Sequence, residues 1–202
     1  MSRLKDRSSR HDAFFRKARE QGFAARAVFK LEDIDKKLGL LRAGDRVLDL
    51  GCRPGSWLQY AGQRVGAHGK LVGIDRLPMP SEIPNARIVI ADLYEITDEV
   101  LVGDLGAFDV VLSDMAPDTT GIKSTDQARS AALVEEALNR ASRLLAPGGA
   151  FVAKIFQGPD VELLRKRMQT FFATVKLVKP EASRKISTEV YLAGKGFAPA
   201  ST

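Results

Sequence analysis

Cysteine occurs once in the 202 residues, as Cys52, which excludes an internal disulfide and a cysteine-cluster zinc site. Cys52 has no partner that would make it a nucleophile, and the two histidines, His11 and His68, stand isolated, with surface positions expected. No metal is expected. No stretch reaches the roughly 18 consecutive apolar residues of a membrane span. The N-terminal stretch MSRLKDRSSRHDAFFRKARE lacks an apolar core, so no secretory signal is expected. A reducing, cytoplasmic setting follows. There is no long polar low-complexity tract, no internal repeat and no linker marking a second large domain.

What is present is a basic excess in one place. Residues 1–30 hold nine Lys/Arg against three acids, whereas the remaining 172 residues balance at 22 against 22, so the whole net charge of +6 lies near the N-terminus. A polyanion such as RNA fits that asymmetry; a solvated basic tail is the plainer explanation. The expected organisation is a basic arm over 1–20 and one domain over 21–202.

Along the domain, strand-like and helix-like segments alternate. Helical spacing in FAARAVFKLEDIDKKLGL ends at Gly39; DRVLDLG reads as a buried strand, and PGSWLQYAGQRVG as a helix with Pro54 in its first turn. KLVGID, ARIVIAD and FDVVLSD are further strands, each closing on an acid. Asp126 to Leu145 forms the clearest helix, followed by the APGGAFVAKIF strand, the VELLRKRMQTFF helix and the strands TVKLVKP and EVYLAGKGF. This order predicts an α/β fold: a seven-stranded, mostly parallel sheet with helices on both faces. Only EASRKIST separates the last two strands, which leaves no room for a crossover helix and makes the last strand antiparallel.

Ligands of such sheets sit beyond the carboxyl ends of the strands, where Asp75, Asp92, Asp114 and Lys154 cluster. The turn VLDLGCRPGSW carries Gly51 and Gly55 but has Arg53 where a dinucleotide fingerprint requires its second glycine. A nucleoside without a pyrophosphate fits better. Asp75 would then accept from ribose hydroxyls and Asp92 from an adenine amino group, with Leu93 packed near the base. S-adenosylmethionine (SAM) meets these demands; a nicotinamide dinucleotide is the alternative. Asp114 and Lys154 converge on adjacent strand ends, and Glu189 and Lys30 point the same way. A structural ion pair is the plainer explanation for such a pairing.

The segments ARAVFKLEDID, VLDLGCRPGSWLQY, GIDRLPM, SDMAPDTTG, LLAPGGAFVAKIFQG and KPEASRKISTEVYLA occur in that order. Carried by them over residues 21–194, the chain resembles the FtsJ/RlmE (RrmJ) family of SAM-dependent ribosomal RNA 2′-O-ribose methyltransferases. The resemblance implies a Rossmann-like SAM methyltransferase fold and a catalytic tetrad falling on Lys30, Asp114, Lys154 and Glu189. It implies SAM contacts at Gly55, Trp57, Asp75, Asp92 and Asp114, to which the turn and strand ends add Gly51 and Leu93. The substrate expected is a uridine of large-subunit (23S-type) ribosomal RNA, within the 50S subunit, for a monomeric enzyme. The same chemistry on tRNA or an mRNA cap, or a non-catalytic RNA-binding assembly factor, are the alternatives.

Within that expectation Lys154 deprotonates the attacking 2′-oxygen or steadies its charge, while Lys30 and Glu189 position the nucleotide and hold Lys154. RNA phosphates are expected at Arg16, Lys17, Arg19 and Arg26, with Arg184 and Lys185 on a second edge. Phe14 and Phe15 either stack on a base or anchor the arm. Trp57, at the mouth of the turn, is expected to combine packing with lining the SAM pocket. Family members often carry small residues where this chain has Cys52-Arg53, Gly for Ser56, an aromatic for Val28 and Asn for Asp118. The Arg53 side chain is expected to point away from SAM.

Overall fold

The computed structural model describes residues 13–183 and 187–199; Arg184 and Lys185 and the arm up to residue 12 lie outside them. Among those described, residues 13–20 form a helix, α1. The elements that follow are α2 (Val28–Leu38), β1 (Arg46–Leu50), α3 (Ser56–Val65), β2 (Lys70–Asp75) and β3 (Ala86–Ile90). Then come α4 (Asp98–Val102), β4 (Phe108–Ser113), α5 (Lys123–Leu144), β5 (Leu145–Phe156), α6 (Asp160–Met168), β6 (Phe172–Val178) and β7 (Glu189–Phe197).

The seven strands form one sheet in the order β3-β2-β1-β4-β5-β7-β6. The pairings β1 with β2, β1 with β4, β2 with β3 and β4 with β5 are parallel. β7 inserts antiparallel between β5 and β6, as the short connection before it requires. In the central strands Val47, Leu48, Leu50, Val111 and Leu112 are all buried, because helices cover both faces. One apolar layer joins α2 and α3 to the sheet and the other joins α5 and α6.

The local readings needed three adjustments. Pro54 precedes α3 rather than occupying its first turn: the helix opens at Ser56, capped by Gly55 at φ +106°, a conformation that favours glycine. Leu145 leaves the helical pattern and is extended, pairing with Phe108, because Ala146 precedes Pro147 and the chain there disfavours helix. α1 and the five-residue α4 are further elements that the alternation of strands and helices did not announce.

Two tethers fix α2, the helix that carries Lys30. Buried Asp35 accepts from the main-chain N–H groups of Leu40 and Leu41 through Oδ1, and from Tyr60 Oη and Arg64 Nε of α3 through Oδ2. From β7, Lys195 Nζ donates to the carbonyls of Leu38 and Gly39, closing the C-terminal end of α2. Lys30 is thereby held against the sheet by contacts on both sides.

Candidate active site

Side chains alternate across a strand, so one face of the sheet collects Asp49 of β1, Asp114 just beyond β4, Lys154 of β5 and both Glu189 and Tyr191 of β7. The register sets Lys154 opposite Tyr191 and Phe156 opposite Glu189. α2 lies on this same face and delivers Lys30. Four charged groups from four elements therefore meet over the carboxyl ends of the central strands.

They resolve into two ion pairs. Lys154 Nζ lies 3.2 Å from Asp114 Oδ1 and donates to the Asp114 main-chain carbonyl at 2.5 Å. Lys30 Nζ donates to Glu189 Oε2 at 2.8 Å. The direct partner of Lys154 is thus Asp114, with Glu189 taken up by Lys30. Burial works to raise the Glu189 carboxyl, but Lys30 and, behind it, Lys154 and Ser187 hold it below its ordinary value. It stays ionised at neutral pH. Both lysines are buried, which strengthens their fields towards anything placed between them.

Tyr191, which sequence reasoning passed over, links the two pairs. Its hydroxyl donates to Asp114 Oδ1 at 2.7 Å, and Lys30 Nζ sits 5.9 Å from its ring centroid. Burial, then the charges of Asp114 and Glu189, push the phenol well above its ordinary pKa, so it remains a donor. The signal in the sequence was its place two residues after Glu189, which gives both side chains the same face of one strand.

Beside this cluster opens a cleft of about 510 Å³, lined among others by Gly51, Asp75, Asp92, Leu93, Asp114 and Met115. Gly51 has φ +74°, and a Cβ there would come within 2.3 Å of Met115 Cγ. The turn is therefore closed to side chains where it meets the cleft. Asp75 accepts from the main-chain N–H of Arg53 and of Leu77, and Asp92 Oδ1 from that of Tyr94, so both carboxylates are held in place by local backbone. Arg53 is exposed but belongs to the cleft lining, which qualifies the expectation that it turns away.

Gly55 and Trp57 fall outside that lining. Gly55 instead packs beneath Met79 and Ile83, whose atoms a Cβ would strike. Trp57 is buried, donates its indole N–H to the Ala27 carbonyl at 2.9 Å and packs on Tyr191 with ring centroids 5.9 Å apart. It thereby ties α3 to the start of α2 and backs the Tyr191 ring, the packing half of the mixed role expected of it. Cys52 is buried as well, and burial followed by the charges of Asp49 and Asp75 pushes its thiol far up, which leaves it inert.

A residue not anticipated as part of the site is Asp49. It is buried in β1, and both carboxylate oxygens lack a hydrogen-bond partner among the described residues. Burial, then the charges of Asp114 and Asp75, raise its pKa well above the ordinary value. An orphaned carboxyl beside a glycine turn fits a site whose ligand brings donors. The sequence signal was a lone acid inside an apolar strand.

At the other edge, α1 docks through Phe14 and Ala18. Phe14 packs on Phe29, centroids 5.6 Å apart, next in sequence to Lys30, whereas Phe15 is 56% exposed. Phe14 is thus the anchor of the helix, and the Phe15 ring is left in solvent. Arg16, Lys17 and Arg19 are exposed and Arg26 is half-buried; Lys17 Nζ lies 4.6 Å over the Phe29 ring. Among the described residues no helix is long and apolar enough to cross a membrane.

Known proteins resemble this chain over most of its length. The model of the FtsJ-like methyltransferase family matches residues 23–197. A protein of Desulfatibacillum aliphaticivorans named ribosomal RNA large subunit methyltransferase E is 49% identical over 195 residues, covering 96% of this chain and 94% of its own. A protein of the same name from Bdellovibrio bacteriovorus is 48% identical over 186 residues, 91% of this chain and 95% of its own. Among solved structures, a Plasmodium falciparum protein described as a ribosomal RNA methyltransferase superposes with a TM-score of 0.76 at 27% identity. That match covers 87% of this chain and 98% of the other. With three-quarters of its length and more accounted for in each comparison, the chain belongs to the FtsJ-like methyltransferase family.

Proposed function

We propose that this protein transfers a methyl group from S-adenosylmethionine to the ribose 2′-hydroxyl of a uridine in large-subunit ribosomal RNA. The observation that carries the reading is the Lys154–Asp114 pair at the carboxyl ends of adjacent strands, next to a cleft with acids at Asp75 and Asp92. The relatives named for large-subunit ribosomal RNA methylation support the substrate.

When bound, SAM supplies a methyl group on a positively charged sulfur, already activated for displacement. The cleft residues fit it: Asp75 would accept from the ribose hydroxyls, Asp92 from the adenine amino group, Leu93 would pack on the base, and Gly51 admits close approach. Asp49, buried next to the glycine turn and outside the cleft lining, adds a carboxyl whose oxygens have no partner among the described residues.

The protein's task is then to orient the acceptor hydroxyl and manage its proton. Lys154, fixed by the side chain and carbonyl of Asp114, accepts that proton if it is neutral or stabilises the developing alkoxide if it is charged. Lys30 and Glu189 hold the nucleotide from the opposite side. Tyr191 fixes the Asp114 carboxylate and so the aim of Lys154.

RNA enters across the basic face of α1, where Arg16, Lys17 and Arg19 meet phosphates together with Arg26. The working form is a cytoplasmic monomer acting on the 50S subunit. Transfer of labelled methyl from SAM to 50S particles and to tRNA, with mapping of the modified nucleotide, tests this. Label on one 2′-O-methyluridine of the 50S RNA is expected; label on tRNA alone would refute the substrate assignment.

A further inference from the structure

The segment from Ala91 to Thr97 has no regular secondary structure, yet it holds Asp92 and Leu93 at the cleft. Irregular backbone needs partners for its carbonyls, and a binding loop needs something rigid behind it. Part of the answer is local: the Asp92 carbonyl accepts from Glu95 and Ile96, and its Oδ1 from Tyr94. The rest comes from α5.

Arg140 of α5 is buried beneath the loop. Its Nη2 donates to the Leu93 carbonyl at 2.7 Å, and Nη1 donates to the Ile96 carbonyl at 2.8 Å and to Asp98 Oδ1 at 2.7 Å. Nε reaches Glu136 Oε1, one turn earlier on the helix, at 3.0 Å. One planar guanidinium thus spans two main-chain carbonyls three residues apart and is itself held in register by Glu136. Leu133, two turns before Arg140 on the same helix, lines the cleft. The wall of the cleft and the clamp on its loop therefore belong to one rigid element.

Neighbouring Arg143 differs in a useful way: it binds Asp98 and none of the loop carbonyls. Burial works to raise the Asp98 carboxyl, but Arg143 and Arg140 together hold it below its ordinary value, so the outer anchor stays ionised at neutral pH. From this geometry we infer that Arg140 is a positioning residue for nucleoside recognition, setting Asp92 and Leu93 at the height and angle from which they read the base. An arginine is suited to the task because a lysine ammonium cannot bond both carbonyls in one plane.

The inference rests on SAM as the methyl donor, and the test separates the two. Calorimetry of the full-length protein with S-adenosylhomocysteine comes first; no binding by the unaltered protein would refute the SAM reading itself. Given that binding, Arg140→Gln is expected to weaken it about tenfold, as loss of two charged hydrogen bonds behind a loop allows. Discrimination between S-adenosylhomocysteine and its inosine analogue is expected to fall to about threefold or less, since that ratio reports on the base. In the methylation assay the same variant raises KM for SAM while kcat is retained within about twofold.

Arg143→Gln is expected to leave affinity within about twofold, because it touches only the outer anchor. Arg140→Lys, which can serve one carbonyl, is expected about threefold weaker than the unaltered protein, and carries the test should Arg140→Gln fail to fold. Unchanged affinity and base discrimination in a folded Arg140 variant would overturn the inference. So would an equal loss in Arg143→Gln.

Discussion

Tyr191 donates its phenolic hydrogen to Asp114 Oδ1 across 2.7 Å, and the same carboxylate oxygen lies 3.2 Å from Lys154 Nζ. One oxygen therefore couples a neutral donor and a buried cation from two adjacent, antiparallel strands. Removing the hydroxyl leaves the carboxylate free to rotate away from Lys154. Tyr191→Phe is expected to lower kcat about tenfold with S-adenosylhomocysteine affinity unchanged, measured by single-turnover methyl transfer and calorimetry. A variant with full kcat would show that Lys154 is aimed without Tyr191.

Lys154 itself manages the 2′-hydroxyl proton or the alkoxide charge in the proposed mechanism. Lys154→Ala is expected to reduce methyl transfer by at least about a thousandfold, within the range for loss of a positioned acid–base group. Affinity for S-adenosylhomocysteine should stay within about twofold. Residual transfer near the unaltered rate would assign the chemistry elsewhere.

Asp49 presents a stability cost tied to ligand binding. Its folded pKa lies above its ordinary value of 3.8, so the native state holds its proton longer than the unfolded chain does. Stability contributed by the protonated form is present at low pH and lost as pH rises from that value through the raised one. Asp49→Asn removes the ionisation, and at pH 7 it is expected to be more stable by about 1 kcal/mol while binding S-adenosylhomocysteine about tenfold more weakly. Urea denaturation at pH 7 and pH 4 measures the gap, which should narrow towards the lower pH.

Glu189 has the opposite sign. Its folded pKa is held below the ordinary 4.5 by Lys30, against the effect of burial. The ion pair therefore stabilises the protein above that value, and the contribution is lost as pH falls through the folded pKa. The stability difference between the unaltered protein and Glu189→Gln should be steady from pH 7 to pH 5 and shrink below pH 4.5. A difference independent of pH would exclude an ionised Glu189 in the native state.

Phe14 and Phe15 are neighbours with different expected effects. Phe14→Ala removes the packing on Phe29 and is expected to cost about 1–2 kcal/mol in denaturant unfolding. Phe15→Ala should change stability by less than about 0.5 kcal/mol yet weaken binding to 50S particles about fivefold, as loss of a base-stacking surface would. Filter binding to particles separates the two; a Phe15 variant that binds normally would confine α1 to phosphate contacts.

The alternation of strands and helices and the antiparallel last strand are legible in the chain's periodicity and loop lengths alone. Asp75, Asp92, Asp114 and Lys154 are likewise marked there as acids and a lysine at strand ends. These are local matters: period, turn residues and loop length leave few alternatives. Which residues meet depends on the three-dimensional fold. Lys30 and Glu189 are 159 residues apart in sequence, and Tyr191 and Asp114 are 77 apart; both contacts depend on β7 entering between β5 and β6. The packing half of the mixed role expected of Trp57 takes its partners from the fold: its indole N–H reaches the Ala27 carbonyl of a distant segment. Arg140 is one of several charges on α5, and its carbonyl partners come only from the loop after β3 that lies across it. Periodicity fixes which face a residue occupies, but the partner on that face comes from strand order and register, which no local pattern encodes.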